Sequence, residues 1–159
     1  MDYIKKELYM IKTEITVATR DFGEINVSSD SIISFPNGIF AFEELKSFVL
    51  ISPLGDGVYP MWLQCTEKSQ PCFIVYDPFE ITNDYSPKLG AESKKVIEFD
   101  NYDDLHYLVI AVVPEDFKKT TVNLKSPIII NKNKSIAAQV ILDEDYKIKF
   151  PIFDGKGEK

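Results

Sequence analysis

Few side chains in this sequence could carry chemistry, and they are scattered. A serine or cysteine hydrolase needs a histidine base beside its nucleophile. His106 is the one histidine in the chain. It heads the apolar run 106–113 with no nucleophile motif around it, and reads as a partly exposed strand residue. General acid–base work by paired carboxylates needs one carboxyl held in apolar surroundings. Asp103-Asp104 and Asp143-Glu144-Asp145 look instead like solvated acidic turns. Cys65 and Cys72 are the two cysteines. With no further Cys or His cluster they indicate neither a zinc site nor a disulfide framework, and are expected as reduced thiols. No glycine-rich phosphate loop, GxSxG elbow or dinucleotide fingerprint occurs. These absences point to a binding protein, with no enzyme activity, metal or cofactor expected.

The elements that would position a binding surface follow from the hydrophobic pattern. The chain has 159 residues, 45% of them hydrophobic and 13% aromatic, enough for one self-sufficient domain. Short apolar or alternating runs, punctuated by turn residues, predict an all-β fold, a sandwich or barrel. The expected strands are 14–18, 23–27, 48–52, 61–64, 72–76, 106–113, 121–124, 128–131, 137–142 and 147–150. Turns fall at Phe35-Pro36-Asn37-Gly38, Leu54-Gly55-Asp56-Gly57 and Asn131-Lys132-Asn133-Lys134. Short helices are expected at 42–48 and 91–97, and 85–89 is read as extended. Tyr146, Ile148, Phe150 and Ile152 alternate with Lys147, Lys149 and Pro151, which predicts an apolar and a polar face. The domain is expected to span 13–153, between a flexible N-terminal extension, 1–12, and a flexible tail, 154–159.

Charge narrows the partners. The formal net charge is −7, and residues 77–116 carry the whole excess, ten Asp or Glu against three Lys. Residues 117–134 then hold five Lys and no acid. An acidic protein repels phosphate backbones, so direct nucleic-acid binding is disfavoured and a basic protein partner fits better. The N-terminus lacks the apolar core of a signal peptide, and the longest apolar run, 107–113, is too short to span a bilayer. A cytoplasmic protein without membrane contact is expected.

Three places could form a recognition surface. In Phe35–Glu43 the aromatics either plug the end of a barrel, the favoured reading, or stay exposed for docking. Trp62 is expected in the core, while Gln64 could offer its amide to a partner or pair with backbone. Thr121, Asn123 and Lys125 alternate with Val122 and Leu124. They would line one side of a strand at about 7 Å spacing, either as a recognition face or as an ordinary solvent face.

Taken in order along the chain, these pieces resemble the flagellar assembly factor family, FliW. Thr19-Arg20-Asp21-Phe22-Gly23-Glu24-Ile25 is similar to its opening T-x-x-F-G-x-I, and Ile33–Gly38 to its I-x-F-P-x-G. Trp62-Leu63-Gln64, Pro71, Val75-Tyr76-Asp77-Pro78 and Asp84-Tyr85 are similar to its central block. Thr121–Pro127 and Gln139-Val140-Ile141-Leu142 close the match. The loop Gly38-Ile39-Phe40-Ala41-Phe42-Glu43 departs from the family's G-[LI]-P-G-F-E, and Cys65 stands where a serine is usual. The resemblance implies a small closed or nearly closed β-barrel with one or two short helices, working by binding. It implies two partners, flagellin near its terminal helical region and the translational regulator CsrA, which the free factor sequesters when flagellin is scarce. A monomer is expected when free. Phe40, Phe42, Gln64, Thr121, Asn123, Lys125 and Asn131 are the expected partner-facing residues. The alternatives are a barrel that binds RNA directly and a hydrolase built on His106.

Overall fold

The computed structural model describes residues 13–153. The extension 1–12 and the tail 154–159 lie outside the described residues. Eleven strands are described: β1 (Glu14–Ala18), β2 (Glu24–Ser28), β3 (Ile32–Ser34), β4 (Ser47–Ile51), β5 (Met61–Cys65), β6 (Cys72–Tyr76), β7 (Leu105–Val112), β8 (Thr121–Val122), β9 (Ile128–Asn131), β10 (Ile136–Gln139) and β11 (Phe150–Pro151). Two short helices join them, α1 (Pro78–Ile81) and α2 (Ala91–Ile97).

Strands β3 to β7 form a meander, and β7 closes it by pairing with β9, which pairs with β10, which bridges back to β3. The result is a closed seven-stranded barrel. Its two seams are unequal. β7 and β9 share four antiparallel pairs, whereas β10 meets β3 through one parallel pair, Ile136 with Ser34. β7 also changes partner along its length: its last residues, Ala111 and Val112, pair with β8, and β11 adds to β8.

The period of two sorts the wall into an inside and an outside. Phe48, Met61, Leu63, Cys65, Val75, Leu108, Ile128, Ile130 and Ala137, drawn from six of the seven wall strands, form one buried cluster with Ile33 of β3 and Phe35, and fill the barrel. The intervening residues point outward, and distant segments cover them. Helix α2 brings Ile97 onto Tyr107, Ile129 and Ala138. Tyr85, Leu142 and the partly buried Tyr146, Phe150 and Ile152 cover Val109 and Val122. A wall buried on both faces is why β9 reads as the uninterrupted Ile128-Ile129-Ile130.

Several expectations are corrected. No helix forms over 42–48. Gly38 has φ +68 and a Cβ there would sit 2.5 Å from Glu43 Cα. Ala41 is also left-handed, so the chain folds back on itself too tightly for a helical turn. Strand 121–124 ends at Val122, and 147–150 is reduced to the pair 150–151. The four-residue alternation there fails at Ile148, which is 62% exposed. Strand β3 and helix α1 were missed, although Asp77 before Pro78 is a helix-start signal: the Asp77 carboxylate accepts from Phe79 N, and proline suits the first turn. Trp62 is not core. It is half-buried on the outer wall, edge-on to Phe22, with its indole N–H donating to Asp21.

Candidate functional site

The stretch from Thr121 to Pro127 is a strand interrupted by a loop, because β8 and β9 both run beside β7. The interruption leaves backbone groups without ladder partners, and polar side chains supply them. Asn123 Oδ1 accepts from the amides of Lys125 and Ser126, at 3.0 Å each. The Lys125 ammonium donates to the Glu144 carbonyl at 2.7 Å. Tyr85 donates its hydroxyl to the Leu124 carbonyl at 2.8 Å, and burial pushes the Tyr85 phenol well above its ordinary value. Backbone bonds from Leu124 to Lys147, Val140 to Pro127 and Leu142 to Lys125 tie the same loop to the C-terminal segment.

Two other expected site residues are occupied in the same way. Gln64 is fully buried on the outer wall. Its carbonyl accepts from Arg20 N, and its amide donates to the Cys65 and Ser69 carbonyls. Of the two readings of Gln64, the structure shows the backbone one. Asn131 is buried as well. It donates to the Ile97 and Glu98 carbonyls at the end of α2 and accepts from Asn133 N.

One open region lies at one end of the barrel. Inward-side residues Ile110 and Val112 of β7, Thr121 of β8, Asn123, and Gln139 of β10 line a cavity of about 170 Å³ together with Ile148 and Lys149. Gln139 also lines an adjoining cleft of about 340 Å³ with Asn37, Ser93, Val96, Val140 and Ile141. The Gln139 side chain holds this rim together, accepting from Phe40 N and donating to the Ser126 carbonyl. Large apolar side chains stand exposed around it: Phe40, Val112, Ile141 and Ile148. Phe42, by contrast, is half-buried, packed on the barrel core and edge-on to Phe73. Thr121, Asn123 and Phe40 therefore meet at the rim, while Gln64 and Asn131 lie elsewhere. Gln139 and Ile141 were missed as site residues. The available signal was Ile141, an apolar residue out of phase with Val140 and Leu142.

His106 lies at the start of β7, 2.7 Å from the Tyr59 hydroxyl through Nε2. Burial pulls its pKa below the ordinary histidine value, against an opposing pull from Asp77. No nucleophile pairs with it among the described residues. Nor does any group of three His, Cys, Asp or Glu there fit a metal ion. Cys65 and Cys72 are free thiols, and burial pushes Cys72 up to about 11. No helix among the described residues is long and apolar enough to cross a membrane.

Comparison with known proteins agrees with the resemblance in the sequence. The model of the FliW protein family matches residues 16–152. Relatives named flagellar assembly factor FliW include one from Caldicellulosiruptor saccharolyticus, 40% identical over 91% of this chain and 95% of its own length. Another, from Ruminiclostridium cellulolyticum, is 40% identical over 87% of this chain and 94% of its own. A crystal structure of a flagellar assembly factor FliW superposes with a TM-score of 0.83 at 31% identity, covering 89% of this chain and 99% of that one. A closed barrel whose outer wall is clad by its own distant segments, matched over nearly its full length, places this chain in the FliW family.

Proposed function

We propose that this protein is a flagellar assembly factor that works by binding, without chemistry of its own. Its partners are flagellin and the translational regulator CsrA. By sequestering CsrA when flagellin is scarce, it couples flagellin synthesis to assembly in the cytoplasm. The observation that carries the reading is the open rim around Gln139, where Phe40, Val112, Ile141 and Ile148 stand exposed beside two adjoining clefts. Exposed apolar side chains gathered at a groove mark an interaction site, and an amphipathic helix such as flagellin's terminal region is laid into grooves of this kind. The acidic excess in residues 77–116 complements a basic RNA-binding protein and opposes direct binding of RNA.

The test mixes purified protein, CsrA and its target RNA, and follows CsrA occupancy on the RNA as flagellin is added. The expected result is loss of occupancy with this protein alone and recovery on adding flagellin, because the switch requires each ligand to lower the affinity for the other, by the same factor in both directions. Unchanged occupancy at saturating protein overturns the antagonist role. A shift of the RNA by this protein alone would favour the direct-binding alternative.

A further inference from the structure

A third cavity, of about 270 Å³, shares no lining residue with the two at the rim. Tyr59, Tyr76 and Phe153 give it three aromatic rings, Asp77 and Glu80 two carboxylates, and Ile81 and Ile152 complete the lining. We propose that this pocket receives an arginine side chain of a partner protein. The volume falls below the range of sites that take drug-sized ligands or cofactors, which suits a single side chain. Among the described residues no lysine or arginine lines it, and neither carboxylate pairs with a cation. Asp77 uses one carboxylate oxygen to cap α1, accepting from Phe79 N. Both carboxylates lie close enough to Tyr59 to oppose its ionisation, adding to burial in pushing the phenol up to about 12. Tyr59 is therefore a neutral ring at physiological pH, its hydroxyl engaged with His106 Nε2.

Aromatic faces attract cations electrostatically. A planar guanidinium can stack on a ring while its N–H groups meet a carboxylate in bidentate fashion, which a compact ammonium does less well. A divalent metal is a poorer occupant, since no group of three metal-ligating side chains exists here among the described residues. Taking the arginine from a partner protein rests on the binding role proposed above; the pocket's preference for a guanidinium does not.

The probe is therefore N-acetyl-arginine amide, titrated into the full-length protein and followed by NMR at the aromatic resonances of Tyr59, Tyr76 and Phe153. The His106 Cε1 proton is an unambiguous reporter, since the chain has one histidine. Saturable shifts at these rings are expected with the arginine amide. The isosteric but neutral citrulline amide should give none, and the lysine amide weaker ones. Asp77→Asn keeps a helix-capping side chain, and Glu80→Gln alters an exposed residue, so both variants should keep the wild-type melting temperature. Each should weaken the arginine amide at least fivefold. Absence of shifts, equal shifts from citrulline amide, or undiminished affinity in both folded variants overturns the pocket, whatever becomes of flagellin and CsrA binding.

Discussion

Asn123 and Ile141 both belong to the most distinctive part of the sequence, and of the two only Asn123 was expected to face a partner. Their side chains meet different surroundings. Asn123 turns its carboxamide oxygen onto two backbone amides, and Ile141 stands 65% exposed at the rim. The wall and the rim of the barrel differ in what their backbones lack. Where the wall breaks between β8 and β9, where α2 ends against it, or where Arg20 and the connection from β5 to β6 lie on it, unpaired N–H and C=O groups must be met, and Asn123, Lys125, Asn131 and Gln64 meet them. At the rim the strands simply end, and apolar side chains that would have met a neighbouring strand are left outward. A polar residue in such a barrel is more informative about closure than about recognition.

Breaking the wall should have the largest effects. Gln64→Leu leaves Arg20 N and the Cys65 and Ser69 carbonyls unmet in a buried site, and should cost about 3 kcal/mol of unfolding free energy, read from urea midpoints. A loss under about 1 kcal/mol would mean that water replaces the amide, and would weaken the distinction between wall and rim. Asn131→Ala should cost about 2 kcal/mol, with α2 losing hydrogen-exchange protection ahead of the barrel strands.

The rim should respond in the opposite manner. Phe40→Ser and Ile141→Ser remove exposed side chains, so stability should stay within about 0.5 kcal/mol of wild type, while affinity for flagellin or CsrA falls at least tenfold, measured by isothermal titration calorimetry. Folded rim variants that bind both partners normally would move the docking surface elsewhere on the barrel.

A smaller effect is expected from pH. Burial holds the folded-state pKa of His106 below the unfolded value of about 6.5. The unfolded chain then takes up a proton first as pH falls. The stabilisation is complete above about pH 6.5 and declines as pH drops through that value towards the folded-state pKa. Asp77 and Lys132 act on the ring in opposite senses, and Tyr59 engages Nε2. Urea midpoints at pH 7.5 and 5.0 should fall further in the wild type than in His106→Gln. An equal fall would assign the change to other groups.

Much of the barrel could be read along the chain. The pattern of apolar runs and turns locates ten of the eleven described strands to within a few residues, two of them only as short remnants, together with helix α2. Runs such as Ile128-Ile129-Ile130 carry enough β-branched bulk to fix their own conformation. Strand β3 was harder, since three residues give no period, and the helix expected over 42–48 does not form because the close approach of Gly38 to Glu43 is a fold-back that residue type does not announce. The candidate site was read less well. Phe40, Thr121 and Asn123 do meet at the rim, while Gln139, which ties Phe40 to Ser126, stayed hidden because its two partners lie 99 and 13 residues away.

By itself the sequence determined the β architecture, the acidic bias and the family, since all of these depend on residue type and local spacing. Which polar residues are consumed inside the protein was decided by tertiary structure alone. Alternation states that a strand has two faces but not which of them a distant segment will cover. In this barrel the outside is clad by Tyr85, α2 and the C-terminal stretch, while Arg20, 44 positions before Gln64, closes over its carboxamide. Burial on that outer face turns Gln64 and Asn131 into structural side chains, and the ending of strands at the rim turns Ile141 outward.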